Sequence, residues 1–368
     1  MNDREQETGK ADTLKRVLIM PDYRSDNPYQ TLLADALEEQ GVDVTFPVGY
    51  RRVLPITRAL QDTDCNVLHL HWPTPYIKGE GLSKRAVYAT KLLLDLSLVR
   101  MQGVRIVWTV HNVQPHKSQY PALERYVRAG IAQVAHKLIV HDPYTHDKVS
   151  REYRVPQAKV EVIPHGHYRD YYGEPPSQSE ARRILNLPQE ERLFLHLGML
   201  RPYKGTEALI DSWKKIASQY PAAHLVIAGQ PESLVYRNTL AEKSRACSQI
   251  TFRPGFVDDD VIPAYFAAAD VAIFPFRRIT TSGSLVLAIS YDVPVIAPRY
   301  PGLDWVLGDA DDGLYDPDSG APGLQNKLLQ ALQVSGTSND QMALRTARKK
   351  LSWDPIGKNT IGCYIKEP

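Results

Sequence analysis

The chain has 368 residues, 43% hydrophobic and 23% charged, with a formal net charge of +2. That length favours two domains, each large enough to bury its own core, and the near-neutral charge excludes a dedicated nucleic-acid binder, which carries a concentrated basic face. Cys65, Cys247 and Cys363 are odd in number and scattered, which excludes a disulfide framework and a cysteine-based zinc site and suits a reducing cytosol.

Residues 1–12 are polar and are expected to form a disordered tail, with no apolar signal-peptide core in MNDREQETGKADTLKR. Strand and helix patterns then alternate. RVLIM (Arg16–Met20) reads as a strand and Tyr29–Gln40 as an amphipathic helix stopped by Gly41. Asn66–Leu70, Arg105–Val110, His136–His141 and Glu161–Pro164 are further strands. Short apolar runs of this kind suit a parallel sheet buried on both faces. GEPPSQS (Gly173–Ser179) reads as a linker. The alternation restarts with Leu193–Gly198, His224–Gly229, Ile250–Arg253, Asp270–Pro275 and Val293–Pro298. The expected architecture is α/β, with two doubly wound Rossmann-like domains over 13–172 and 177–350. Residues 351–368 are expected to pack back onto the first domain. No apolar stretch approaches the ~20 residues of a membrane span, so a soluble or peripheral protein is expected.

In open parallel sheets, ligands bind at the carboxyl ends of the strands. GMLRPYKG (Gly198–Gly205) sits there, between a strand and the helix that begins near Thr206. Gly198 permits a tight turn, and Arg201 and Lys204 place two cations at a helix N-terminus, a seat for pyrophosphate. The loop is neither a Walker A sequence nor a GxGxxG fingerprint. A plain solvated basic turn is the alternative. Thr280–Ser290 (TTSGSLVLAIS) follows the next strand but two, and its Ser-Gly-Ser offers free N–H groups and hydroxyls, or simply an N-cap.

Nine of the eleven histidines lie in the first half. His69 and His71 share one sheet face. His69, inside a strand, reads as a hydrogen-bonded core residue. His71, His111 and His116 fall at or past strand ends, where a histidine can serve as a general base. No HExxH, GxSxG or kinase signature is present, and no metal site is expected. Asp258–Asp260 reads as an acidic helix start.

DNPYQTLLADAL (Asp26–Leu37), NVLHLHWP (Asn66–Pro73), TVHNVQPH (Thr109–His116), HGHYRDYY (His165–Tyr172), GMLRPYKG and SGSLVLAISYDVPVIAP (Ser282–Pro298) together resemble the GT-B glycosyltransferases. More narrowly, they resemble the GDP-mannose-dependent β-mannosyltransferases of xanthan-type polysaccharide assembly. The resemblance implies two domains facing across a cleft. It also implies a nucleotide-sugar donor held by Arg201, Lys204, Gly198, Gly205, Ser282, Gly283 and Ser284, with His165 and His167 on the donor side. His111 matches the histidine that approaches the donor sugar. Asn27, Tyr29, Asn112 and His116 are placed toward the acceptor. Base candidates are His71 and His111, with Asp26 behind them.

The broad retaining family carries two glutamates where this chain has Ile279 and Leu287, which favours an inverting branch and leaves the ribose contact unassigned. The xanthan-type enzymes continue HWP with an acid, where this chain has Thr74. The expected activity is metal-independent transfer of mannose from GDP-mannose to a glycan or lipid-linked hydroxyl. The rivals are a retaining UDP-sugar transferase and a non-catalytic nucleotide-sugar-binding relative. Arg51, Arg52, Arg58, Lys84, Arg85 and Lys91, with the apolar helix Ser83–Met101, are expected to lay a cytoplasmic protein on anionic lipid. A buried helix with snorkelling lysines is the alternative.

Overall fold

The computed structural model describes residues 15–49, 53–113, 119–277, 282–333 and 338–365. Two compact units emerge: one formed by residues up to His141 with Thr145–Ile163 and Asp354–Pro368, the other by Asp142–Tyr144 and Pro164–Trp353.

The first unit is a six-stranded parallel sheet of β1 (Arg16–Met20), β2 (Asp43–Thr45), β3 (Val67–Leu70), β4 (Arg105–Thr109), β5 (Lys137–Val140) and β6 (Val160–Val162), in the order β2-β1-β3-β4-β5-β6. The second repeats the plan with β7 (Arg192–Leu197), β8 (Ala223–Gly229), β9 (Ile250–Pro254), β10 (Val271–Ile273), β11 (Val295–Pro298) and β12 (Leu314–Tyr315), in the order β12-β11-β10-β7-β8-β9. All pairings are parallel. The strands β3, β5 and β8 are buried along their whole length, as a parallel sheet covered on both faces requires. In each sheet the connections reverse direction beside the first strand, at β1/β3 and at β7/β10. In open parallel sheets such a switch point is where a ligand crevice forms, at the carboxyl ends of the strands.

Two strands escape the sequence patterns, β2 and β12. Both are edge strands of three and two residues, too short for any periodicity to register. The helices α1 (Tyr29–Glu38) and α3 (Leu82–Met101) fall where the sequence puts them, and α2 (Pro55–Thr63) lies between them. Buried Asp95 of α3 caps α2 by accepting the N–H groups of Ile56 and Thr57 at 2.9 and 3.0 Å, satisfying donors that a helix start leaves free.

The boundary between the units differs from the composition break at Gly173–Ser179. Residues 164–172 go with the second unit, because the Tyr168 N–H donates to Ser290 Oγ at 2.9 Å and Trp353 Nε1–H donates to the His167 carbonyl at 2.7 Å. The helix Trp353–Tyr364 then returns to the first unit from Asp354 onward. There Gln40 Nε2 donates to the Asp354 carbonyl at 3.0 Å and Arg105 Nε to the Cys363 carbonyl at 2.7 Å.

Candidate functional site

In the second unit, the loop after β7 and the helix start after β10 flank the β7/β10 crevice. Gly198 has φ +134°, and a Cβ there would lie 2.4 Å from Ser284 Oγ and 3.1 Å from Lys204 Nζ. Gly205 is left-handed at φ +76°, where a Cβ would strike the Pro275 carbonyl. It ends the short 3-10 turn Pro202–Lys204 and opens the helix Thr206–Ala217. The two glycines let the loop fold tightly enough for Lys204 Nζ to donate to Ser284 Oγ at 3.3 Å. Burial, and then the nearby Arg201, pull the Lys204 pKa down to about 8. The Arg201 side chain makes no hydrogen bond or ion pair with the described residues.

Ser282 Oγ accepts the Leu285 N–H at 3.3 Å and caps the helix Gly283–Ser290. The plain N-cap reading is therefore correct for Ser282, while Ser284, the second residue of the helix, is the hydroxyl that meets Lys204. His196, within β7, fixes the scaffold beneath. Its Nδ1–H donates to the Ile273 carbonyl at 2.7 Å, and Nε2 lies 3.0 Å from Thr206 Oγ1.

The HGHYRD stretch divides. His165 Nδ1–H donates to the Gly166 carbonyl at 2.9 Å, and its Nε2 faces Tyr168 Oη at 3.3 Å. The Tyr168 hydroxyl lies 3.4 Å from where a Gly283 Cβ would stand, so His165 and Tyr168 belong to the Ser282–Ser284 corner. His167, expected on the donor side, instead anchors the chain end. Its N–H donates to the Leu351 carbonyl at 3.0 Å and its carbonyl accepts from Trp353.

Sequence reasoning missed Gly229. Its φ is +141°, and a Cβ would lie 1.9 Å from the Gly198 carbonyl oxygen. The signal was a strand, HLVIAG, ending on glycine beside the Gly198 strand.

In the first unit, the adjacent strands β3, β4 and β5 each deliver one histidine just past the carboxyl end: His71, His111 and His141. His71 Nδ1 lies 3.0 Å from His111 Nε2, His111 Nδ1 lies 3.3 Å from His141 Nε2, and His141 Nδ1 lies 3.0 Å from the Ile163 carbonyl beyond β6. His141 was not singled out from sequence, although it stands one residue past its strand as His71 does. His111 is 9% exposed and stacks on Trp72 with centroids 4.0 Å apart.

His71, the other base candidate, lies deep in the unit. It is 0% exposed, and burial, followed by neighbouring histidines, holds its pKa well below the usual range. His69 is the core histidine its position implies, between Tyr364 Oη at 2.7 Å and Thr109 Oγ1 at 2.8 Å.

Tyr29, expected toward the acceptor, is buried. Its ring meets His71, His111 and His141 edge-on at 5.8, 5.0 and 5.7 Å. Asn27 Oδ1 accepts the Tyr29 N–H at 3.0 Å, so this amide oxygen serves the turn before α1. Asp26 is exposed in the same turn. Asn112 is half-buried, and its carbonyl accepts from Arg128 at 3.0 Å. Tyr153 Oη donates to the next carbonyl, that of Val113, at 2.7 Å, so the loop that carries His111 is pinned from below. His116 and Ile279 lie outside the described residues, whereas Leu287 is buried in the helix Gly283–Ser290. Among the described residues, no group of three His, Cys, Asp or Glu side chains is placed to hold a metal ion.

Comparison with known proteins matches residues 177–349 to the family Glycosyl transferases group 1, and residues 45–168 to Glycosyltransferase Family 4. A protein of Xanthomonas campestris pv. campestris, GDP-mannose:glycolipid 4-beta-D-mannosyltransferase, is 31% identical over 348 residues, 92% of this chain and 88% of that protein. Among solved structures, HepE of Anabaena in complex with UDP and glucose superposes with a TM-score of 0.71 at 17% identity, over 95% of this chain and 98% of that one. Sucrose-phosphate synthase of Thermosynechococcus elongatus superposes with a TM-score of 0.70 at 18% identity, over 95% and 98%. At such identities these two structures speak to the fold alone.

Proposed function

Because the chain belongs to the GT-B glycosyltransferases, we propose that it transfers mannose from GDP-mannose, with inversion, to a hydroxyl of a glycan or lipid-linked saccharide. The observation that carries this reading is the meeting of Gly198, Lys204 and Ser284 at the β7/β10 switch point. The choice of sugar and nucleotide is supported by the 31% identity, across both units, to a protein named as a GDP-mannose transferase.

In this reading Arg201, Lys204 and Ser284 hold the pyrophosphate. The bond from the anomeric carbon to the phosphate oxygen breaks as the acceptor oxygen bonds to that carbon from the other side. The departing diphosphate gains negative charge, which the two cations stabilise more strongly than they stabilise the ground state. These side chains supply that charge themselves, and we assign no step to a metal ion. The acceptor proton passes to a base on the first unit. Among the sequence candidates there, Asp26 is exposed and suited to take it, whereas His111, with both ring nitrogens engaged by neighbouring histidines, is suited to touch the donor sugar.

The polar and apolar face of α3 supports a cytoplasmic protein resting on anionic lipid. Val87, Leu94, Leu98 and Met101 are exposed along one stripe, with Lys84 and Lys91 between them. Arg85 is turned away from that stripe, donating to the Gly79 carbonyl at 3.1 Å. Arg51 and Arg52 lie outside the described residues. No helix among the described residues is long and apolar enough to cross a membrane.

The test is a panel of GDP- and UDP-sugars with lipid-linked saccharide acceptors, read by diphosphate release and by the anomer of the product. GDP release with a β-mannoside is expected. Turnover of a UDP-sugar alone, or an α-linked product, would overturn the assignment.

A further inference from the structure

Parallel strand order puts four consecutive chain ends in one line, from β3 through β4 and β5 to β6. That line carries His71, His111, His141 and the carbonyl of Ile163. Three imidazoles bonded ring to ring leave little freedom in where their protons sit. The Ile163 oxygen can only accept, so His141 must carry its proton on Nδ1. A neutral ring protonated on Nδ1 has its lone pair on Nε2, so His141 accepts there and His111 donates from Nδ1. The same step repeats. His111 accepts at Nε2, and His71 donates from Nδ1. The row ends on His71 Nε2, a buried nitrogen with no hydrogen-bond partner among the described residues, where a lone pair is left.

Read in the opposite direction, the row would set the His141 Nδ1 lone pair against the carbonyl oxygen, so the carbonyl decides the direction. Burial keeps the rings neutral, holding His141 down at about 4 and His71 well below the usual histidine range. His111 is thereby gripped on both ring nitrogens and by the Trp72 face. Without the His141 nitrogen, its Nδ1–H loses the acceptor that fixes the ring plane.

We propose that His141 is a positioning residue: bonded to the Ile163 carbonyl, it locks His111 and His71 in the Nδ1–H tautomer and holds the His111 ring in the one orientation it presents at the surface. The effect on turnover rests on the transferase reading above, whereas the tautomer does not.

Long-range proton–nitrogen correlation spectra of the full-length 15N-labelled chain report the tautomer of each ring directly. The expected result is the Nδ1–H form at His71, His111 and His141. In His141→Phe, which keeps an aromatic ring without a nitrogen, His111 and His71 lose that signature and kcat falls about 10–100-fold. In His141→Gln, whose amide oxygen can accept from His111 Nδ1–H, the signature and most of the turnover return. Nε2–H forms in the unmodified protein, or unchanged spectra in His141→Phe, would overturn the proposal. Should His141→Phe fail to fold, the spectrum of the unmodified chain decides alone. Nδ1–H signatures in a protein that turns over no nucleotide-sugar would refute the transferase reading and leave the tautomer lock standing.

Discussion

Lys204 Nζ donates a hydrogen bond to Ser284 Oγ over 3.3 Å, joining the loop after β7 to the helix start after β10. Eighty residues of sequence separate the two, and the doubly wound sheet cancels that distance by placing β7 and β10 side by side. Two segments that are separate in the sequence meet at one place.

Replacing Lys204 with Ala is expected to weaken nucleoside-diphosphate binding by about 1.5–3 kcal/mol, the range of a charge-assisted contact. Calorimetric titration with GDP checks it. The melting temperature should change little, since the half-buried ammonium has one weak protein partner to lose.

The Lys204 pKa of about 8 also sets a pH dependence. Below that pH the ammonium is charged and holds phosphate; as pH rises through it, the charge and the affinity are lost. GDP affinity should therefore fall between pH 7 and 9.5. Near pH 8.5, binding should draw a proton from the buffer, because bound phosphate favours the charged form. Lys204→Arg should flatten the profile over that window. The sign for stability is opposite. A folded pKa below the unfolded value means the unfolded chain binds more protons between about 8 and 10.5, so this group's unfavourable contribution is relieved as pH rises through that interval.

Gly229→Ala should damage the fold, because the new Cβ would stand 1.9 Å from the Gly198 carbonyl at a φ of +141°. Overpacking of this kind costs about 1–3 kcal/mol or more, which urea denaturation measures. Gly198→Ala drives a Cβ into Ser284 Oγ, the movable end of a side chain, and should impair GDP binding more than stability.

His111→Ala is expected to lower turnover and nucleotide-sugar affinity together, because the ring is suited to touch the donor sugar, while affinity for bare GDP stays near normal because the proposed diphosphate seat is on the other unit. His71→Ala should act differently. It removes a fully buried partner of His111, so melting temperature and turnover fall together. Asp26→Asn should lower turnover about 10²–10⁴-fold with GDP affinity near normal, and unchanged turnover there would remove Asp26 as the base.

Lys84→Glu and Lys91→Glu together should weaken co-sedimentation with phosphatidylglycerol-containing vesicles. Each basic residue near an anionic surface is worth about 1 kcal/mol. Binding that is indifferent to anionic lipid would remove the membrane assignment for α3.

The alternation of short apolar runs with helical periods is a local property, and by itself it determined two doubly wound units and the loops that stand at their strand ends. Glycines followed by cations after a strand were equally legible in Gly198–Gly205, because a backbone turn and a charge need no distant partner to be recognised. What only the tertiary structure decided were the relations across strands. His71 and His111 read alike in sequence, each just past a strand end, yet one is sealed in the core and the other reaches the surface, since burial depends on what neighbouring strands and α1 place above them. His141 had no signal beyond its position and gained a role from strand order alone. The edge strands β2 and β12 and the true unit boundary at residue 164 were likewise invisible. Each is fixed by pairing or docking to residues far away in the chain, and a local pattern carries no record of such partners.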